Sequence, residues 1–173
     1  VLMRSADALK ALIVDNVKPK DILTKKSFEN AIRVVMALGG STNSVLHLLA
    51  LAREADIELS IDEFNNFSDT TPIICDMKPA GRYVMEDLYQ VGGLQLVMKM
   101  LLDAGMLHGD CMTITGKTIG ESLADVSVDL SGQDVVFPLD DPVKASGPIV
   151  ILKGNLAEEG AVLKTCGLQE VVH

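Results

Sequence analysis

The residues best suited to chemistry form one short segment, which consists of Gly39, Gly40, Ser41, Thr42 and Asn43. Two glycines let a backbone approach a ligand closely, and a helix starting at the serine would present free N–H groups and a partial positive charge. The hydroxyl and amide side chains add donors and acceptors, so the segment suits a carboxylate or a polyhydroxylated acid. An ordinary turn between two helices, with Ser41 as the cap, explains the same residues without a ligand.

Histidines and carboxylates offer weaker candidates. His47 lies four positions after Asn43 and would share its helix face, but its leucine neighbours predict a packed core histidine. His108 is expected to be solvated in a polar loop. Asp76, Glu86 and Asp87 surround a turn at 78–83, and a paired-carboxylate acid and base is conceivable there. Because the last two open a predicted helix, we favour a purely electrostatic role for them.

The chain has three widely spaced cysteines, Cys75, Cys111 and Cys166. Their number is odd, and none belongs to a CxxC motif, so the pattern predicts three reduced thiols in a cytoplasmic protein. A shared metal or cluster site would need the fold to bring them together.

Helical spacing of apolar residues predicts the elements that position these groups. A first helix should end before Pro19, and a second should begin at Thr24 or Ser27 and stop at Gly39 and Gly40. The next helix should be capped by Ser41. Further helices are expected at 85–91 and 94–103, and capping boxes at 60–63 and 118–121.

From residue 126 onward the chain changes to β-branched residues, glycine and proline. Strands are expected at 135–137, 149–152 and 161–163. We therefore predict a helical part at 1–125, a linker at 126–145, and at 146–173 the start of a second, β-rich domain with too few strands for a complete sheet.

Composition excludes several classes of protein. The net charge is −9, and hydrophobic residues make up 48% of the chain, an ordinary globular mixture. An acidic protein repels phosphate backbones and anionic membranes, so we expect no nucleic-acid or membrane partner. No apolar run approaches the roughly 20 residues that span a bilayer, and no signal-peptide pattern opens the chain. We therefore expect a soluble protein.

Several segments resemble a known family, in order along almost the whole chain. Ala-Leu-Gly-Gly-Ser-Thr-Asn-Ser-Val-Leu-His-Leu at 37–48 resembles a hallmark of the dihydroxy-acid dehydratase and phosphogluconate dehydratase family. Pro-Ala-Gly-Arg-Tyr-Val-Met-Glu-Asp-Leu at 79–88 resembles the dihydroxy-acid branch. Similar matches occur at 91–93, 104–110, 113–118, 147–148, 152–157 and 160–164.

The resemblance implies a hydro-lyase that converts 2,3-dihydroxy-3-methyl acids to 2-oxo acids in branched-chain amino-acid (valine and isoleucine) synthesis. Such enzymes use an iron–sulfur cluster as a Lewis acid, with Mg²⁺ nearby, and form homodimers. The implied fold is α/β overall: a mainly helical segment ends the N-terminal α/β domain, and a β-rich segment starts a C-terminal barrel-like domain. Substrate contacts would come from the segment 39–43, on a small dihydroxy acid.

This sequence departs from the family in what it omits. The family's cluster cysteines, its metal-binding Asp and modified Lys lie upstream of these segments, and its catalytic Ser lies downstream. Cys75-Asp76-Met77-Lys78 only superficially echoes the Cys-Asp-Lys stretch of the family. We therefore expect an interior segment of about a third of such an enzyme, with no cluster, metal or activity when isolated.

Two other functions stay open. The first is a sugar-acid dehydratase of the same family, acting on phosphogluconate. A phosphate would favour basic residues around 39–43, and Arg33 and Arg53 are the only arginines nearby in sequence, which argues against this substrate. The second is a noncatalytic helical interaction module, which a large exposed apolar patch without a cleft at Ser41 would favour.

Overall fold

The structure is a computed structural model that describes residues 2–166. In this range eight helices precede one antiparallel pair of strands, joined as a hairpin. The helices are α1 Leu2–Val14, α2 Pro19–Ile22, α3 Lys25–Ala37, α4 Asn43–Glu54, α5 Glu63–Thr70, α6 Met85–Gln90, α7 Gly93–Asp103 and α8 Ile119–Leu123, and the strands are β1 Ile149–Gly154 and β2 Ala157–Lys164. The predicted helical part followed by a β-rich end is confirmed.

Local capping chemistry sets several helix starts. Thr24 caps α3 and Thr118 caps α8, and each hydroxyl accepts a hydrogen bond from the backbone N–H three residues on. In return, the Ser27 hydroxyl accepts from the Thr24 N–H, and the Glu121 carboxylate accepts from the Thr118 N–H. These reciprocal pairs satisfy donors that a helix start leaves free. At the capping box predicted at 60–63 only one of the two bonds forms, in which the Ser60 N–H donates to Glu63 Oε1 at 2.8 Å.

The strand expected at 135–137 is not one. Val136 forms only an isolated bridge with Cys75. This bridge pairs one side of the segment with 74–76: the Asp76 N–H donates to the Val135 carbonyl at 2.9 Å, and the Phe137 N–H donates to the Ile74 carbonyl at 2.8 Å. On the other side Gln133 Oε1 accepts from the Val136 N–H at 2.9 Å, and Gln133 Nε2 donates to the Val136 carbonyl at 2.7 Å. A side chain therefore occupies the backbone groups that a neighbouring strand would pair.

The core is built from aliphatic side chains, methionine and a few aromatics. One cluster gathers around α7, and a second lies where α3, α5 and β1 meet. The buried members of the second cluster are Ile32, Met36, Val45, Phe64, Ile149 and Ile151. Because α3 ends in this cluster, the loop that follows it starts from a fixed point. No helix within residues 2–166 combines the length and apolar character that a membrane crossing requires.

A side-chain clamp fastens the hairpin to α5. Asn65 Nδ2 donates to the Ile151 carbonyl at 3.0 Å, and Asn65 Oδ1 accepts from the Ile151 N–H at 2.7 Å. The amide thus pairs both backbone groups of one β1 residue, as a neighbouring strand would.

We expect Asn65→Ala to loosen β1. The substitution leaves the Ile151 N–H and carbonyl without these partners, which costs roughly 1–3 kcal/mol for a buried group. Hydrogen exchange of the β1 amides in the full-length protein measures the loss as a lower free energy of local opening. Asn66→Ala is the matched control, since Asn66 is exposed on the same helix. Equal exchange of β1 in the two variants would refute the clamp.

Candidate functional site

The loop after α3 begins as a glycine helix stop. Gly39 has a φ of 71°, in the left-handed region that favours glycine. Its N–H donates to the Met36 carbonyl at 3.1 Å, and the Gly40 N–H donates to the Val35 carbonyl at 2.9 Å. This is a Schellman arrangement, which satisfies the last carbonyls of the helix. The amides of both glycines are engaged within α3, so donors for a ligand must come from the residues that follow.

The helix start differs from the prediction. Helix α4 begins at Asn43, with Thr42 in the cap position, so the predicted start at Ser41 is wrong. Thr42 already has helical backbone angles, φ −58° and ψ −27°, and its side chain makes no capping hydrogen bond. The Ser41 hydroxyl still accepts from the Asn43 N–H at 3.2 Å. The Ser41 hydroxyl therefore stabilises the first turn, whereas the Thr42 hydroxyl is not used as a cap.

A cleft of about 520 Å³ opens beside this loop. Four of the predicted residues line it, namely Gly39, Gly40, Ser41 and Thr42. Asn43, which is exposed at the first position of α4, is not in the lining. The turn at 78–79 and the start of α6 also contribute to the lining. The cleft combines hydroxyl groups with apolar surface, which is the usual composition of a small-molecule site.

Two lysines that the sequence did not single out also line this cleft, Lys78 and Lys164. Lys164 Nζ donates to the Gly39 carbonyl at 3.0 Å, although the two residues lie 125 positions apart. Helical or strand periodicity gives no signal for a contact over that separation. The basic residues that line the cleft are therefore these two lysines, and neither Arg33 nor Arg53 is in the lining.

A smaller cavity of about 320 Å³ shares Gly39 with the cleft. Its lining includes Cys75, Asp76, Lys144 and Cys166. Asp76 forms an ion pair with Arg82, so its carboxylate already has a partner. Lys144 donates to the Thr165 hydroxyl at 2.9 Å. Cys75 is buried, and its burial raises the pKa of the thiol to about 12.

We expect Cys75 to resist alkylation in the native protein. A pKa of about 12, compared with an ordinary value of 9.0, lowers the thiolate fraction near pH 8 roughly a thousandfold. Burial restricts the reagent further. Iodoacetamide labelling followed by peptide mass spectrometry should modify the half-exposed Cys166 well before Cys75. Unfolding in urea should abolish the difference, and equal native rates would contradict the burial argument.

The described residues do not fit an iron–sulfur cluster or a metal ion. Within residues 2–166 no group of three or more histidine, cysteine or acidic side chains is arranged to hold a metal. The three cysteines are free, and burial raises the pKa of both Cys75 and Cys111. Cluster ligation needs thiolates, which a raised pKa disfavours. We therefore derive no reaction step in which the described residues hold a cluster or a metal ion.

The structure contradicts the prediction for one of the two described histidines. His47 is exposed, not packed, because α4 buries Val45 and a residue two positions later lies about 200° around the helix. The His108 side chain remains 40% exposed to solvent, and its Nε2 also lies 2.6 Å from Glu29 Oε2. Its backbone N–H donates to Asn30 Oδ1 at 2.8 Å. Neither histidine lines the cleft. His173 lies outside the described residues.

Comparison with known proteins gives the family. Residues 1–122 match the family described as "Dihydroxy-acid/6-phosphogluconate dehydratase N-terminal", and residues 134–173 match its C-terminal counterpart. Proteins named dihydroxy-acid dehydratase from Oceanobacillus iheyensis, Prochlorococcus marinus MIT 9313 and Leifsonia xyli are 52%, 56% and 54% identical over 98% of this chain. The aligned part covers 30%, 31% and 30% of those relatives, so the chain spans about a third of their length or slightly less. The chain belongs to the dihydroxy-acid/6-phosphogluconate dehydratase family.

Proposed function

We propose that the full-length protein containing this chain is a hydro-lyase acting on 2,3-dihydroxy-3-methyl acids. The reaction removes the C2 hydrogen and the C3 hydroxyl as water and leaves an enol, which becomes the 2-oxo acid. We further propose a role in valine and isoleucine synthesis. The observation that carries the proposal is the 52–56% identity, over nearly the whole chain, to proteins named dihydroxy-acid dehydratase.

The proposed contribution of this chain is to bind the substrate in the cleft beside α4. Ser41 and Thr42 bring two hydroxyls to the lining, at the end of the helix where the backbone carries a partial positive charge. Such donors suit a carboxylate and neighbouring hydroxyls. Gly39 and Gly40 would shape the loop, and Asn43 would contribute from the rim. We assign no catalytic residue to this chain.

We propose that the iron–sulfur cluster and Mg²⁺ of the full-length enzyme are held by residues outside this chain. The cluster would supply a Lewis acid for the leaving hydroxyl. The isolated chain would then bind no cluster and have no activity. We also propose that the full-length protein is a cytoplasmic homodimer. Within this chain we propose a helical part at 1–125, a linker at 126–145 and the start of a second domain at 146–173. The two matched ranges, 1–122 and 134–173, support a boundary in this part of the chain.

A second candidate is dehydration of a phosphorylated sugar acid. Lys78 and Lys164 both line the cleft, which is where a phosphate would favour basic side chains. The third possibility, a noncatalytic helical module, is disfavoured because a cleft does lie beside Ser41.

A comparison of kcat/KM for two substrates distinguishes the two dehydratase functions. The full-length protein, purified without oxygen, is given 2,3-dihydroxy-3-methylbutanoate or 6-phosphogluconate, and 2-oxo acid formation is followed. We expect the higher kcat/KM for the dihydroxy-methyl acid. A preference for 6-phosphogluconate would support the second candidate, and no turnover of either substrate by cofactor-replete protein would contradict both.

A further inference from the structure

Lys164 occupies a fixed position between the hairpin and the cleft. It is the last residue of β2 and lies opposite Ile149, which is fully buried. Its side chain is partly buried, and its Nζ lies 3.0 Å from the Gly39 carbonyl oxygen. The same side chain lines the cleft together with Ser41 and Thr42. The ammonium group therefore reaches the loop from a strand distant in sequence.

The positive charge of Lys164 has no carboxylate partner within the described residues. The other lysine of the hairpin, Lys153, forms an ion pair with Asp62 at 2.6 Å. Lys164 instead donates to a neutral carbonyl, and an ammonium group has three N–H donors. A partly buried cation that is paired only with a carbonyl gains from a nearby anion, because partial burial weakens the screening by water. Lys164 can thus hold the loop and still attract a negatively charged ligand.

We propose that Lys164 is a specificity-determining residue of the cleft, which selects the carboxylate of the substrate while it holds the Gly39 carbonyl in place. This inference rests on the proposed function, because it assumes that the cleft takes a small dihydroxy acid. A purely structural lysine would need only a hydrogen-bond donor toward Gly39. A specificity residue needs the charge as well.

Lys164→Gln separates these two roles, because glutamine keeps a donor for Gly39 and removes the charge. Binding to the full-length protein is measured by calorimetry, with 3-methyl-2-oxobutanoate as the carboxylate probe and 3-methyl-2-oxobutanamide as its neutral counterpart. Calorimetry does not depend on turnover. We expect the affinity for the carboxylate to fall roughly tenfold or more and the affinity for the amide to stay unchanged. Lys164→Arg, which keeps the charge, should retain the preference for the carboxylate.

Lys153→Gln is the matched control, since Lys153 belongs to the same hairpin and does not line the cleft. It should leave both affinities unchanged. The proposal is overturned if Lys164→Gln binds the carboxylate as tightly as the unsubstituted protein, or if both probes weaken equally. Should the glutamine variant fail to fold, Lys164→Arg decides: loss of the preference for the carboxylate overturns the proposal. A protein that shows the expected binding but does not dehydrate dihydroxy acids would contradict the proposed function. The proposed role of the Lys164 charge in carboxylate binding would still hold.

Discussion

We expect the Gly81→Ala variant to be destabilised by roughly 3 kcal/mol or more, the upper end of the range for overpacking. A Cβ at this position would lie 2.5 Å from the Asp76 carbonyl oxygen and closer still to the Asp76 carbonyl carbon and carboxylate. Backbone atoms cannot move aside as a flexible side chain can. The Gly81 N–H also donates to the Met77 carbonyl at 2.8 Å, so the turn cannot shift without losing that bond.

Thermal unfolding and soluble yield of the full-length protein measure this effect. Gly154→Ala is the matched control, because a Cβ at Gly154 meets no atom within 4 Å and its backbone is not in the left-handed region. The control should unfold at almost the same temperature as the unsubstituted protein. The close approach of Gly81 to Asp76 would be refuted if the two variants had the same melting temperature.

The second large effect concerns turnover. If the proposed substrate contact is right, Thr42→Ala in the full-length protein should lower kcat/KM tenfold or more, since losing a buried hydrogen bond to substrate costs roughly 1–3 kcal/mol. The Thr42 side chain makes no capping hydrogen bond, so the melting temperature should hardly change. Thr42→Ser, which keeps the hydroxyl, should recover most of the activity.

Ser41→Ala provides the contrast. The Ser41 hydroxyl accepts from the Asn43 N–H, so its loss should cost about 1 kcal/mol of stability. If the segment is only a turn, Ser41→Ala lowers the melting temperature and Thr42→Ala leaves kinetics untouched. Unchanged kinetics in a well-folded Thr42→Ala enzyme would end the claim that this loop binds substrate.

The sequence by itself determined the features that depend on neighbours along the chain. The cap at Thr118 and the stop at Gly39 are hydrogen bonds over a few residues, so residue type and spacing are enough to predict them, and they narrow the cap of α3 to Thr24 or Ser27. Ordered motifs along the chain also predicted the family. The glycines and hydroxyls that line the cleft, at 39–42, are adjacent in the chain, so the sequence alone singles them out.

Only the tertiary structure decided which faces are buried and which distant groups meet. The leucines beside His47 predict a packed core histidine, but the packing of α4 leaves His47 exposed. The segment at 135–137, predicted as a strand, forms only an isolated bridge with Cys75, and the Gln133 side chain binds the Val136 backbone on the other side. Lys164 reaches Gly39 from the far end of the chain. Such contacts depend on how elements pack in space, and no periodicity within one element encodes them.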